Sequence, residues 1–309
     1  MSPPVTPTVF IDGAAGTTGL EIAERLSART DLTVATLAED RRKDAAARAE
    51  AINDADFVIL CLPDDAAREA IALIRNDRTR VIDASSAHRV APDWTYGFPE
   101  LVGRDRVAAA ARVSNPGCYP TGFLALVAPL VRAGLIPADW PLTVHAASGY
   151  SGGGKAMVAE YQNAGAPAFR AYALGLGHKH LPEMTVHAGL AHPPIFAPAV
   201  ADTYRGMLVE VPLHLRALPA KPSPAQLHDA LAAAYAGQPL VTVAEPSPVV
   251  TIEENAGTDR LTLRVCADAD GDQARLVATL DNLGKGAGGA AVQNLNLMAG
   301  LDPLAGLIV

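Results

Sequence analysis

Three stretches of the 309-residue chain bring together residue types that could do chemistry. The first is Ser114-Asn115-Pro116-Gly117-Cys118-Tyr119-Pro120-Thr121-Gly122, followed by an apolar run over 123–131. Pro120 is well placed near a helix start. Cys118 then lies close to first-turn N–H groups, where a thiolate is stabilised and can act as a nucleophile. The other two cysteines, Cys61 and Cys266, fall inside apolar strand patterns and read as structural. The second stretch is Leu176-Gly177-His178-Lys179-His180-Leu181-Pro182-Glu183-Met184. A reactive thiol needs a general acid/base or an orienting imidazole, and histidine has the unperturbed pKa nearest neutrality. Two histidines so spaced could also ligate a metal, but no third ligand stands in motif position, and no metal is expected. A plain loop histidine is the other alternative. His145 sits in a strand pattern, and His187, His192, His214 and His228 read as structural.

The third stretch is Gly13-Ala14-Ala15-Gly16-Thr17-Thr18-Gly19. Glycines between a strand and a helix let backbone approach a pyrophosphate on the helix N-terminus, where open N–H groups and the helix dipole favour an anion. The spacing is G-x-x-G-x-x-G rather than the usual G-x-G-x-x-G, so a plain glycine turn is the competing reading. Further on, Glu39 would suit a ribose 2′-hydroxyl, while Arg41, Arg42 and Lys43 would suit a 2′-phosphate; spacing alone leaves both open. Two polar loops, Asp83-Ala84-Ser85-Ser86-Ala87-His88-Arg89 and Ser148-Gly149-Tyr150-Ser151-Gly152-Gly153-Gly154-Lys155, could hold a phosphate or be ordinary connections.

These residues need elements to position them. Over the first hundred residues, β-branched runs at 8–12, 32–37, 57–62 and 80–83 alternate with helical patterns at 19–29, 41–52 and 64–74, the last capped by Asp64 or Asp65. That is the pattern of a parallel α/β sheet built from βαβ units. Beyond about residue 115 the character changes. Strand patterns at 142–146, 207–215, 261–266 and 275–280, with one good helix at 224–236, imply a second, α+β domain of mixed or antiparallel sheet. Period-2 alternation is clear in Val209, Val211, Leu213 and Leu215, and Pro212 among them points to an edge strand or a bulge. Residues 218–224 read as a surface loop, and 284–289 as a flexible glycine loop before a last helix at 290–298.

Composition narrows the partners. With 25 basic against 33 acidic residues the formal net charge is −8, and no basic block exists, which argues against nucleic acid or an anionic membrane. Anionic ligands must then meet local cations and backbone N–H groups. No apolar run approaches the roughly 20 residues of a membrane span. The start, Met1 to Pro7, shows no leader pattern, and three widely spaced cysteines fit a reducing cytoplasm.

Taken in chain order, the motifs resemble the N-acetyl-gamma-glutamyl-phosphate reductases, specifically their shorter form. The matching stretches are Gly13 to Gly19, Ser114 to Gly122, Ser148 to Lys155, His178 to Met184, and the tail Lys285-Gly286-Ala287-Gly288-Gly289-Ala290-Ala291-Val292-Gln293-Asn294-Leu295-Asn296-Leu297-Met298. The Asn-Pro-Gly-Cys-Tyr-Pro-Thr block and the tail are far more specific than any glycine loop, and the likeness spans the chain. It implies a Rossmann-like NADP-binding domain over 1–117 completed by a returning C-terminal helix (286–309), and a catalytic and oligomerisation domain over 118–285. It implies NADPH-dependent reduction of N-acetyl-L-glutamyl 5-phosphate through a cysteine thioester, in arginine biosynthesis. Cys118 would be the nucleophile and His180 the acid/base. Cofactor contacts would come from Gly13, Ala15, Gly16, Thr17, Thr18, Gly19, Arg41, Arg42, Ser151, Gly152 and Asn294, and substrate contacts from Arg89, Asn115 and Glu183. A homo-oligomer, dimer or tetramer, is implied. Around Arg89 the chain departs from the Asp-Leu-Ser-Ala-Asp-Phe-Arg block of the longer relatives. A sister acyl-phosphate reductase acting on aspartate or aminoadipate semialdehyde is the nearest alternative, and a non-catalytic NADP-binding sensor the more distant one.

Overall fold

The structure, a computed structural model, describes residues 6–163 and 165–309. Residues 1–5, on which part of the expectation of no leader rests, and Ala164 lie outside the described residues. The chain divides into two compact units, Met1–Pro116 with Ala287–Leu307, and Gly117–Gly286 with Ile308–Val309.

In the first unit the β-branched runs form β1 (Thr8–Asp12), β2 (Thr33–Ala35), β3 (Phe57–Leu60), β4 (Arg80–Asp83), β5 (Thr95–Tyr96) and β6 (Arg112–Ser114). They pair in parallel throughout, in the order β2-β1-β3-β4-β6-β5. Period 2 splits the core at β1, with Val9 and Ile11 on one face and Phe10 on the other. Helix α1 (Thr17–Ser27) covers the first face with Ile22 and Leu26; α2 (Ala45–Asp54) and α3 (Asp64–Ala72) cover the second with Ile52, Ala67 and Ala70. Short helices α4 (Pro99–Val102) and α5 (Arg104–Ala109) precede β6. Three boundaries differ from expectation for local reasons. Residues 41–43 form a turn, and α2 starts only after Asp44, whose carboxylate accepts from the Ala47 amide at 2.7 Å. Asp64 does not cap α3, because its carboxylate takes the amide and hydroxyl of Ser86 instead. Strand β3 ends at Leu60, so Cys61 stands just past it, its amide donating to the Asp12 carbonyl.

The second unit holds a seven-stranded mixed sheet: β7 (Thr143–Gly149), β8 (Phe169–Ala171), β9 (Ile195–Ala201), β10 (Met207–His214), β11 (Val241–Val243), β12 (Leu261–Ala267) and β13 (Gln273–Leu280), in the order β11-β12-β13-β10-β7-β9-β8. The strands β7 with β9, and β11 with β12, run parallel; the other neighbours are antiparallel. Its helices are α6 (Cys118–Arg132), α7 (Gly154–Tyr161), α8 (Leu181–Ala188) and α9 (Pro224–Ala234), the last opened by a capping box between Ser223 and Gln226. Helix α6 lies close on the sheet because Gly122 has no side chain: a Cβ there would come within 2.7 Å of Val209. Pro212 corrects an expectation. It sits in an interior strand without a bulge, yet β10 pairs with β7 only as far as Glu210, so the missing N–H falls where that neighbour has ended.

The glycine-rich stretch before the last helix is not a flexible loop. Residues 284–288 form one π-helical turn with Lys285 only 1% exposed, and the chain continues straight into α10 (Gly289–Ala299). Helix α10 joins the first face of the parallel sheet through Ala291, Val292, Leu295 and Met298. Each large apolar side chain so buried contributes roughly 1.5–3 kcal/mol. Among the described residues no helix is long and apolar enough to cross a membrane, and no group of three or more His, Cys, Asp or Glu side chains could hold a metal ion.

Candidate active site

Cys118 is the first residue of α6, with Gly117 as the N-cap and no capping side chain on it. The cap is held from outside the helix: the Gly117 amide donates to the Glu183 carboxylate at 2.7 Å. Pro120 falls in the first turn, where its missing N–H leaves no bond unmade, and the Thr121 amide opens the helical ladder on the Gly117 carbonyl. The π turn reaches the same place, since a Cβ on Gly286 would lie 2.9 Å from the Cys118 Cβ. Glu183 is 1% exposed, and its carboxylate meets the nucleophile's loop at that amide.

His180 is the N-cap of α8 and 6% exposed. The residue after the nucleophile, Tyr119, packs its ring 5.9 Å from His180 and 6.3 Å from His178, with Phe196 5.2 Å away. The cysteine and histidine motifs, some sixty positions apart, thus meet in one aromatic cluster within one unit. Sequence reasoning missed Tyr172, which joins that cluster at 3.4 Å from His178 Nε2. Burial, with Cys118 nearby, pushes the Tyr172 phenol up to about 12, so it stays a hydrogen-bond donor. Tyr172 lies beyond a three-residue strand with no periodicity around it, and no local signal could have found it.

In the same unit, the loop after β7 is pinned: the Ser151 hydroxyl accepts from Asn282 Nδ2 at 2.8 Å and the residue is 1% exposed. The loop presents Gly152, Gly153 and Lys155 outward, all exposed.

In the first unit, the glycine loop lies between β1 and α1, and β1 and β3 are adjacent where the chain order reverses, the switch point at which open α/β sheets bind ligands. Its three glycines have different reasons. Gly13 has φ +91° and a Cβ there would collide with the Cys61 carbonyl; a Cβ on Gly19 would collide with the Gly13 carbonyl. Gly16 is different, since a Cβ would find nothing nearer than 3.5 Å. It is the N-cap of α1 with no capping side chain, so the first-turn donors around Thr17 and Thr18 face outward past Ala15 and Gly16. Arg41 and Arg42 stand in the turn after β2, and Arg42 pairs with Glu39 at 2.6 Å on the surface. Asn294 of α10 is fully buried; its amide donates to the Gly97 carbonyl and to Asn115 Oδ1, while its own Oδ1 has no hydrogen-bond partner.

The loop after β4 is organised by Asp83, which is fully buried. It takes the Ser85 amide and hydroxyl at 2.9 and 2.7 Å and His88 Nδ1 at 2.6 Å, and His88 stacks on Trp94. Arg89, 8% exposed, donates to the carbonyls of Asn115 and Ala84. Asn115 donates to the Ala287 carbonyl at 2.9 Å, which ties the tail to the end of β6.

Comparison with known proteins fits this arrangement. Residues 8–110 match the semialdehyde dehydrogenase NAD-binding domain, and residues 118–282 the semialdehyde dehydrogenase dimerisation domain. The N-acetyl-gamma-glutamyl-phosphate reductase of Burkholderia ambifaria is 52% identical over 96% of this chain and 97% of its own. Among solved structures, aspartate semialdehyde dehydrogenase II of Vibrio cholerae, complexed with ASA, superposes with a TM-score of 0.71 at 17% identity, over 95% of this chain and 98% of that one. The aspartate semialdehyde dehydrogenase of Candida albicans with NADP gives 0.66 at 15%, over 95% and 98%. The chain belongs to the semialdehyde dehydrogenase family, among its N-acetyl-gamma-glutamyl-phosphate reductases.

Proposed function

We propose that the chain reduces N-acetyl-L-glutamyl 5-phosphate to N-acetyl-L-glutamate 5-semialdehyde and phosphate with NADPH, in arginine biosynthesis in the cytoplasm. The observation that carries this is Cys118 opening α6 beside the cluster that holds His180. At a helix N-terminus the thiolate is favoured by the dipole. It attacks the acyl carbonyl; the C–S bond forms, the C–O bond to phosphate breaks, and an acyl thioester remains on Cys118. First-turn N–H groups of α6 stabilise the oxyanion. His180 protonates that oxygen on reduction and takes the proton back as the thiohemiacetal collapses, releasing the aldehyde and the Cys118 thiolate.

The first unit fits a dinucleotide. The uncapped α1 N-terminus suits its pyrophosphate, with Gly13, Ala15, Gly16, Thr17, Thr18 and Gly19 around it. The open space at Gly16 and the orphaned Asn294 Oδ1, an acceptor suited to a carboxamide, support the fit. Arg41 and Arg42 would hold a 2′-phosphate, and Ser151 and Gly152 are proposed as further cofactor contacts on the family likeness. When bound, the nicotinamide supplies the hydride. Arg89 and Asn115 are proposed substrate contacts, since a guanidinium grips phosphate or carboxylate in bidentate fashion. The chain is proposed to work as a homo-oligomer through its second unit.

The test is phosphate-dependent reduction of NADP by N-acetyl-glutamate 5-semialdehyde, compared with the aspartate and aminoadipate semialdehydes. Cys118→Ser should abolish it, and substantial residual rate would refute the covalent route. His180→Asn should slow turnover by roughly 10²–10⁴. Faster turnover of either other semialdehyde would move the assignment to a sister reductase.

A further inference from the structure

The reaction above leaves the first histidine of the His178-Lys179-His180 pair without a task, yet both its ring nitrogens are engaged. The His180 backbone amide lies 3.1 Å from His178 Nδ1, and the Tyr172 hydroxyl 3.4 Å from Nε2. A backbone N–H can only donate, so Nδ1 accepts and the proton sits on Nε2. Nε2–H then donates to Tyr172. Beside it, the Tyr119 hydroxyl donates to the Ala199 carbonyl at 2.8 Å. The rings reinforce this arrangement: His178 and His180 are 4.7 Å apart edge to face, and Phe196 lies 5.0 Å from His178. Burial, with the Lys179 charge beside it, pulls His178 down to about 4, which keeps the ring neutral as its acceptor role requires.

We propose that His178 is a positioning residue for His180: by accepting the His180 amide at the start of α8, with Tyr172 at its other ring nitrogen and the Tyr119 ring packed beside both histidines, it fixes the aim of the His180 imidazole at the acyl group on Cys118. This rests on the reading of His180 as the acid/base. A misaimed group costs up to about 10²-fold when displaced by an ångström.

Two substitutions separate the acceptor from the ring. His178→Phe keeps an aromatic ring and removes the acceptor; His178→Asn keeps an oxygen near the place of Nδ1. In the NADP-reduction assay, His178→Phe should lower kcat by roughly ten- to a hundredfold with KM values within about twofold. His178→Asn should recover most of that loss, and the alkylation rate of Cys118 should be the same in both. In a His180→Asn background, His178→Phe should cost nothing further. The proposal is overturned if His178→Phe keeps its kcat, if His178→Asn is no better, or if the full loss recurs without His180. Full activity of His180→Asn alone would instead refute the reading beneath it. Should His178→Phe not fold, Tyr172→Phe removes the partner of the other ring nitrogen. It should lower kcat, and again not in the His180→Asn background; any other result sinks the proposal.

Discussion

Cys61 and Cys118 each stand at the edge of a regular element, and electrostatics set them apart. Cys118 opens α6 and meets the positive end of its dipole. Cys61 lies past the end of β3, where burial and the carboxylates of Asp83 and Asp12 push its thiol up to about 12. Below pH 9 Cys61 therefore stays protonated and inert, because the thiolate is the nucleophile. Iodoacetamide at pH 7–8, followed by peptide mapping, should show fast labelling at Cys118 and none at Cys61. Cys118→Ser should lose the fast phase, whereas Cys61→Ser should keep it; equal labelling of both would contradict the assignment. The special status of Cys118 was legible because Gly-Cys-Tyr-Pro is a helix start written in adjacent residues. The quenching of Cys61 was not, since Asp12 and Asp83 reach it only through the pairing of β1, β3 and β4.

At the scale of elements, the glycine loop separates residues that the fold requires from one that a ligand requires. Gly13 has positive φ and abuts the Cys61 carbonyl, so Gly13→Ala should destabilise the protein by more than about 1 kcal/mol, seen as a fall in Tm. Gly16 has an extended backbone and open space around it. Gly16→Ala should stay within about 1 kcal/mol of the parent, an ordinary cap change, yet weaken NADPH binding by roughly tenfold or more, measured by fluorescence titration. Unchanged binding would mean the loop is only a turn. The parallel sheet was readable because each βαβ unit repeats a local pattern. Strands β8 and β9 were not: Phe169–Ala171 is too short for a period, and Pro198 interrupts β9. The π turn misled for another reason. Lys285 among glycines looks like solvated loop, and only packing on Thr258 and Cys118 reveals that Gly284 and Gly286 are there for close approach.

For the whole molecule, the second unit carries apolar surface that a monomer has little reason to expose. Phe169 is 62% exposed, Leu174 80%, Leu176 58%, Val186 57% and Ile195 54%. Phe169 and Ile195 belong to neighbouring strands at the β8 edge, and His145 and Ala197 lie exposed in register on the same face as Ile195. A sheet face of small and apolar residues is suited to pack on its own copy, since a two-fold interface needs one self-complementary patch. The matched dimerisation domain covers these residues. A stable dimer would bury about 800 Å² on each partner. Phe169→Glu with Ile195→Glu places four like charges in such an interface and leaves the cysteine cluster untouched. Sedimentation velocity should find the parent as a dimer or larger and the double variant as a monomer. A parent that sediments as a monomer at micromolar concentration, or a double variant that keeps the parent's size, would place the subunit contact elsewhere.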